Sequence, residues 1–187
     1  MKAVVLSVRP QMVEKIASGK KTIEVRKTAP KEVPFKAYIY CSKEKKQDDI
    51  IWAGAFGDRG KWNGHVIGEF ICDKVYLIKN QRNRFVVANE EQGVTNEIAR
   101  QSCLDYDDMV NYLGNKDGYG LHITDLKIYD KPKKLSEFYR PCSYSGICYS
   151  CNRFRPNGTP NDEPNDFCDG EITRPPQSYI FVKELGE

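Results

Sequence analysis

The fold is decided by residues 18–26, Ser-Gly-Lys-Lys-Thr-Ile-Glu-Val-Arg. This stretch predicts the end of a helix, a turn rich in positive charge and then a strand. Because a strand places alternate side chains on opposite faces, we expect Ile23 and Val25 to enter a core. Thr22, Glu24 and Arg26 then share the other face, which we expect to be free to bind a ligand.

The residues before this stretch predict a strand and a short helix. Residues 2–8 are mostly small and β-branched, which is typical of a strand. Pro10 suits the first turn of a helix, and Gly19 supplies the left-handed residue that often ends one. The predicted order is therefore strand, helix, Gly-Lys-Lys turn and strand.

Further elements are predicted downstream. Strands are expected over residues 35–41, 65–78, 119–129 and 179–185, a weakly patterned helix over residues 95–103, and a helix from an N-cap at Asp105 to Gly114. In the strand over residues 119–129 the apolar side chains change from one face to the other near Asp125, which predicts a bulge or bend. His122 of that strand is either a structural group or a residue of the cleft.

Five other side chains have local interpretations. Cys41 is expected to be a core residue, because free cysteines are usually buried. Trp52, Phe56 and Trp62 belong to a polar segment over residues 42–64, where they either anchor the segment or stack on bases. Glu69 is expected to pair either with a group of the ligand or with a cross-strand lysine or arginine.

Composition limits the possible functions. The chain has 187 residues, enough for one domain with a proper core, and a net charge of +3 from 29 basic and 26 acidic residues. This excess is too small for a strong electrostatic grip on long duplex DNA, so any site for a polyanion must be local. No apolar run approaches the roughly 20 residues needed to span a bilayer, and residues 1–5 do not resemble a signal peptide. We therefore expect a soluble, cytoplasmic protein without a membrane partner.

Three segments together resemble an ASCH domain. They are Leu-Ser-Val-Arg-Pro at residues 6–10, Gly-Lys-Lys-Thr-Ile-Glu-Val-Arg at residues 19–26 and Gly-His-Val-Ile-Gly-Glu-Phe at residues 64–70. The ASCH family is related to PUA domains, which are small β-barrels with a few helices that often bind RNA. The resemblance covers most of residues 1–136 and the last strand, and Gly-x-Lys-x-x-Glu-x-Arg is its most specific part. It implies an α+β fold, a PUA-like and mainly antiparallel β-barrel with a few short helices, whose cleft is lined partly by Lys21, Glu24 and Arg26.

Residues 137–174 form a cysteine-rich insert before the last strand of this single domain, residues 1–187. Four of the seven cysteines lie in the insert with the spacing C-x5-C-x2-C-x16-C: Cys142, Cys148, Cys151 and Cys168. The central C-x2-C lets two thiolates reach one tetrahedral ion at about 2.3 Å, so we expect a structural Zn²⁺ held by all four thiolates. Disulfides and free thiols are the alternatives, and a redox-active Cys148–Cys151 pair is disfavoured because no βαβ pattern surrounds it.

The run Arg-Pro-Pro-Gln-Ser at residues 174–178 leads the chain from the insert into the last strand. It either fixes only the entry of that strand or contributes to binding. In the second case Arg174 offers a fork for phosphate, and Gln177 and Ser178 offer hydrogen bonds to base edges.

Three functions are consistent with the sequence, and nucleic-acid binding is the first. RNA, a single-stranded segment or a modified nucleotide would occupy the cleft, with bases stacked on aromatic side chains and phosphate held by Lys21, Arg26 and Arg174. Glu24, Gln177 and Ser178 complete this predicted nucleic-acid-binding set.

The second function is hydrolysis, and the third is a surface ion network without a ligand. Some ASCH proteins remove an acetyl group from acetylated cytidine with a lysine and a threonine of this motif and a downstream glutamate, and ribonuclease activity has also been proposed for ASCH-like proteins. Lys21 matches the lysine, but Glu24 stands at the threonine position. A carboxylate cannot replace a hydroxyl nucleophile without a change of mechanism, so if the protein is an enzyme its catalytic residues would be Lys21 and Glu24, acting as an acid/base pair that activates water.

Overall fold

A computed structural model describes residues 1–43, 62–81, 84–141 and 170–185, without the side chains of residues 93 and 94. The strands are β1 (Lys2–Val8), β2 (Ile23–Arg26), β3 (Phe35–Cys41), β4 (Val66–Cys72), β5 (Val75–Gln81), β6 (Arg84–Val87), β7 (Gly118–His122), β8 (Thr124–Lys133) and β9 (Tyr179–Val182). The helices are α1 (Pro10–Ala17), α2 (Gln92–Ser102) and α3 (Tyr106–Leu113), with a 3₁₀ turn at Leu135–Glu137.

The strands of the described residues form two sheets rather than one closed barrel. The first sheet has five strands in the order β8-β4-β3-β1-β9, and the second has four in the order β2-β7-β5-β6. Only β1 and β3 pair in parallel; the other neighbours are antiparallel. The expected α+β, mainly antiparallel architecture is confirmed. The prediction of a closed barrel is wrong, because the described strands form two separate sheets.

The two sheets exist because two predicted strands are interrupted. The run predicted over residues 65–78 is β4 in the first sheet and β5 in the second, separated at residues 73–74. The run over residues 119–129 returns the chain from β7 in the second sheet to β8 in the first. Asp125 has a φ of +48°, so the predicted bend near this residue is confirmed. The first break falls at the charged residues Asp73 and Lys74 and the second at Ile123. Apolar residues flank the charged pair, so the sequence was interpreted as one continuous strand there.

Three apolar clusters hold these layers together. One face of the first sheet packs with α1 around Leu6, Ile16, Phe35, Ile39 and Phe70, and its other face packs around Val5, Tyr38, Phe138 and Ile172. The second sheet packs against α2 and α3 around Ile23, Val25, Ile98, Met109 and Leu113. Cys41 is buried as expected, and Trp62, 1 % exposed, belongs to the first cluster and therefore has an anchoring role. Trp52 and Phe56 lie outside the described residues.

Local signals place α1, β2 and α3 where the sequence predicted them. Pro10 stands in the first turn of α1, and Gly19, with a φ of +73°, ends the turn that follows the helix. Asp105 caps α3, because its side chain accepts a hydrogen bond of 2.7 Å from the Asp108 amide. In the part of the chain described here, no helix is both long and apolar enough to cross a membrane.

Candidate functional site

Strand β2 separates an apolar face from a polar face, as the alternation of its side chains predicts. Ile23 and Val25 lie in the cluster beneath α2 and α3. On the polar side, Lys21, Glu24 and Arg26 are only 2 %, 6 % and 4 % exposed. The polar face is therefore not freely exposed, and the three charges form a buried ion network rather than a surface one.

The three buried charges form one network. Lys21 Nζ lies 3.3 Å from Glu24 Oε2 and donates a hydrogen bond to the carbonyl oxygen of Ser102, at the end of α2. Arg26 Nη2 lies 2.9 Å from Glu24 Oε1 and donates to the carbonyl oxygen of Ser7 at 2.6 Å. The carboxylate thus lies between two cations, and the network carries one net positive charge.

One donor of this network has no acceptor. Arg26 Nε is buried and makes no hydrogen bond within the described residues. A buried N–H without an acceptor is unfavourable and uncommon in folded proteins. An acceptor atom supplied by a ligand would remove this cost.

The network forms the floor of a cleft of about 580 Å³. Its walls come from the end of β1, from α1, from α3 and from residues 175–177: Ser7, Val8, Arg9, Met12, Asp108, Asn111, Tyr112, Pro175, Pro176 and Gln177. Lys27, Ser42 and Leu104 complete the lining together with Val25. This volume lies within the range of pockets that hold small molecules, and it is large enough for one nucleotide unit.

The cleft concentrates positive charge. Its lining contains four cationic side chains, Arg9, Lys21, Arg26 and Lys27, and two anionic ones, Glu24 and Asp108. The excess of two positive charges is most of the net charge of +3 of the whole chain. Lys27 Nζ also lies 5.4 Å from the centre of the Tyr112 ring, so a cation and an aromatic face adjoin at the cleft. Among the described residues, this cleft therefore has a local excess of positive charge.

The predicted binding residues are only partly brought together. Gln177 lines the cleft with Lys21, Glu24 and Arg26, whereas Arg174 is exposed and is not among the lining residues. Ser178 lies beside the cleft, where its carbonyl oxygen accepts a bond of 3.3 Å from the Ser7 amide.

Sequence reasoning missed the contribution of α3. The sequence predicted a helix here, in which Met109 and Leu113 form an apolar stripe, but it assigned no residue of the helix to the site. Asn111 and Tyr112 lie off that stripe and line the cleft. A polar helix face looks the same in a sequence whether it meets solvent or a cleft, so no signal marked these residues.

His122 and Glu69 belong to other parts of the molecule. His122 Nδ1 lies 2.7 Å from Asp73 Oδ1, at one crossing between the sheets, and His122 does not line the cleft described above. Its hydrogen bond to Asp73 lowers the pKa of that carboxyl below its usual value. Glu69 lies 3.6 Å from Lys36 Nζ and accepts a hydrogen bond from the Tyr129 hydroxyl, so its partner is a lysine of the neighbouring strand β3.

The four cysteines predicted to bind zinc, Cys142, Cys148, Cys151 and Cys168, lie outside the described residues. The described flanks of this segment meet: the Ile172 amide donates to the Phe138 carbonyl oxygen at 2.9 Å, and the Arg140 amide donates to the Gly170 carbonyl oxygen at 2.7 Å. Elsewhere in the described ranges, no group of three or more His, Cys, Asp or Glu residues could hold a metal ion.

Comparison with known proteins gives a likeness in structure only. No family model matches the chain, and no curated protein matches it. The solved structure of ASCH from Zymomonas mobilis is 18 % identical over 72 % of this chain and 74 % of that chain, with a TM-score of 0.49. Two point variants of the same protein match with the same identity and TM-score, over 77 % and 75 % of their chains. ASCH is the family that the motif of this chain resembles, but a likeness of this degree carries no argument about function.

Proposed function

We propose that this protein binds nucleic acid and that its cleft takes one unit of a single-stranded RNA or a modified nucleotide. The observation that carries the proposal is the buried, unpartnered Nε of Arg26 on the floor of a cationic cleft. Phosphate and base oxygens are acceptors that fit such a donor, and arginine binds both well.

The side chains of the cleft walls support this assignment. Asn111 and Gln177 carry amide groups that both donate and accept hydrogen bonds, as base edges require. Tyr112 offers a ring on which a base can stack. Arg9 and Lys27 add positive charge for the phosphate backbone.

The shape of the site favours a single strand over a duplex. The donors on the floor, Lys21 and Arg26, are at most 4 % exposed, so only a group that enters the cleft reaches them. Bases of a single strand are free to turn into such a site, whereas those of a duplex are stacked and paired.

Fluorescence anisotropy with a labelled single-stranded RNA hexamer of mixed sequence tests the proposal. We expect saturable binding that is weakened about fivefold by Lys27→Ala, the effect of ~1 kcal/mol on a dissociation constant. Lys79→Ala is the matched control, because Lys79 is exposed on β5 and does not line the cleft. Absence of binding, equal binding of the hexamer annealed to its complement, or an equal loss in the control would each contradict the proposal.

Hydrolysis of the bound nucleotide is the second candidate. The observation that favours it is the 3.3 Å contact between Lys21 Nζ and Glu24 Oε2 on the cleft floor, because acid/base catalysis needs titratable groups within reach of the substrate. Incubation with an RNA hexamer and with a nucleoside acylated on its exocyclic amine, followed by mass spectrometry, separates the two functions. Products that the unmodified protein forms and Glu24→Gln does not would identify an enzyme. Substrates left intact by the unmodified protein would leave binding as the function.

A further inference from the structure

Ser7, near the end of β1, is the residue at which the floor of the cleft meets one of its walls. Its carbonyl oxygen accepts the bond of 2.6 Å from Arg26 Nη2. Its hydroxyl donates to the carbonyl oxygen of Pro176 at 2.6 Å, and its amide donates to the carbonyl oxygen of Ser178 at 3.3 Å. We call residues 175–177 the proline wall.

The Ser7 hydroxyl bonds to a segment that lies beyond the backbone pairing of β1 and β9. The paired residues of β1 and β9 end with Leu6 and Tyr179. Beyond this pair the proline wall presents carbonyl groups, since Pro175 and Pro176 have no N–H to donate. The bond from the Ser7 amide to Ser178 is long for an N–H···O bond, which usually measures about 2.9–3.0 Å. Of the two hydrogen bonds that Ser7 donates to this segment, the one from its hydroxyl is therefore the shorter.

We propose that Ser7 is a positioning residue that holds the proline wall at a fixed distance from Arg26 and so sets the width of the cleft. Ser7 acts on a ligand through Gln177, the wall residue with a hydrogen-bonding side chain. The effect on binding rests on the proposed function, whereas the position of the wall is a property of the free protein. The two can therefore be tested separately.

Three variants isolate the hydroxyl. Ser7→Ala removes it and leaves the backbone groups that contact Arg26 and Ser178. Ser7→Thr keeps a hydroxyl on a residue that suits a strand. Ser18→Ala is the matched control, because the Ser18 hydroxyl also donates to a backbone carbonyl, that of Lys15 at 3.2 Å, at a place outside the cleft.

Hydrogen exchange of the free protein tests the position of the wall. We expect the Ser7 amide, whose acceptor is the Ser178 carbonyl oxygen, to have an exchange protection about fivefold lower in Ser7→Ala, after correction for the intrinsic rate of alanine, as the loss of one hydrogen bond implies. Ser7→Thr and Ser18→Ala should keep the protection of the unmodified protein at this amide. Unchanged protection in Ser7→Ala would overturn the proposal, whether or not the protein binds RNA.

A double-mutant cycle with the RNA hexamer tests the action through Gln177. We expect Ser7→Ala to weaken binding about fivefold in the unmodified protein and less than about twofold in Gln177→Ala, because coupled residues have non-additive effects. If Ser7→Ala weakens binding equally in the unmodified protein and in Gln177→Ala, Ser7 does not act on the ligand through Gln177. Failure of the unmodified protein to bind RNA would instead contradict the proposed function, and the exchange rates would still decide whether Ser7 holds the wall.

Discussion

Glu24 determines the charge balance of the cleft floor. Its two carboxylate oxygens face one cation each, Lys21 and Arg26, and all three side chains are buried. Buried charges are tolerated when they are paired, and removing one partner leaves the others uncompensated. The floor is therefore both a binding surface and a condition of stability.

We expect Glu24→Gln to lower the free energy of unfolding by about 3 kcal/mol, because two buried cations lose their counter-charge. Urea unfolding at neutral pH measures this change. Glu97→Gln is the control, since Glu97 also pairs with a cation, Arg100, but on the exposed surface of α2, where ion pairs contribute little. Similar losses in the two variants would show that burial of the network has no such effect.

The ionisation of Tyr129 should make the stability of the folded protein depend on pH in the alkaline range. Burial and the hydrogen bond to Glu69 raise the pKa of its phenol above the usual 10.0. The folded protein therefore keeps a proton that the unfolded chain loses, so this contribution is complete below pH 10 and declines as the pH rises further. In Tyr129→Phe the decline in the free energy of unfolding between pH 9 and pH 11 should be shallower, as urea unfolding at several pH values will measure. Parallel curves for the two proteins would refute this assignment.

At the level of elements, the sequence predicted those whose ends carry a local signal. The bounds of α1, β2 and β3 agree with expectation, because Pro10 and Gly19 delimit the helix and side chains alternate in the strands. The crossings between the sheets at residues 73–74 and at Ile123 were not predicted: the charged pair Asp73-Lys74 lies between apolar residues, and the change of apolar phase near Asp125 was interpreted as a bend within one strand. Long-range pairing decides those breaks, and a single sequence does not display it.

The candidate site, like the elements, was predicted only in part. Glu24 and Arg26 were found because β2 displays them at alternate positions, whereas Lys21, which precedes β2, was found from the Gly-x-Lys-x-x-Glu-x-Arg motif. Their burial was not expected, because it depends on parts of the chain distant in sequence, among them the carbonyl oxygens of Ser7 and Ser102, which accept hydrogen bonds from Arg26 and Lys21. Arg174 was expected in the site on its chemistry alone, and it lies outside the cleft lining.

The segment between Arg140 and Gly170 carries the prediction of a structural zinc site. Its described ends are joined by backbone hydrogen bonds, so a metal within it would stabilise a closed loop rather than a free arm. We expect native mass spectrometry to show one Zn²⁺ per chain, lost on chelation and absent in Cys148→Ser/Cys151→Ser. Cys103→Ser, at the end of α2, should retain the metal. A metal-free protein with all of its thiols reactive would refute the zinc site.

For the whole molecule, the distribution of charge predicts a weak dependence of RNA binding on salt. Two excess positive charges in the cleft correspond to about two neutralised phosphates, which gives a slope of about −1.4 in a plot of log K against log salt concentration. Anisotropy titrations between roughly 50 and 200 mM salt measure this slope. A slope steeper than about −4 would mean that an extended basic surface, rather than the cleft, holds the RNA.

The pairing of β1 with both β3 and β9 has a consequence for biosynthesis. In chain order β1 precedes its partner β9 and the proline wall, and the other described elements lie between them. A nascent chain emerging from the ribosome therefore exposes one edge of β1 until β9 and the proline wall have been translated. Since unpaired strand edges favour aggregation, a pause in translation before residue 175 should leave a chain that depends on chaperones.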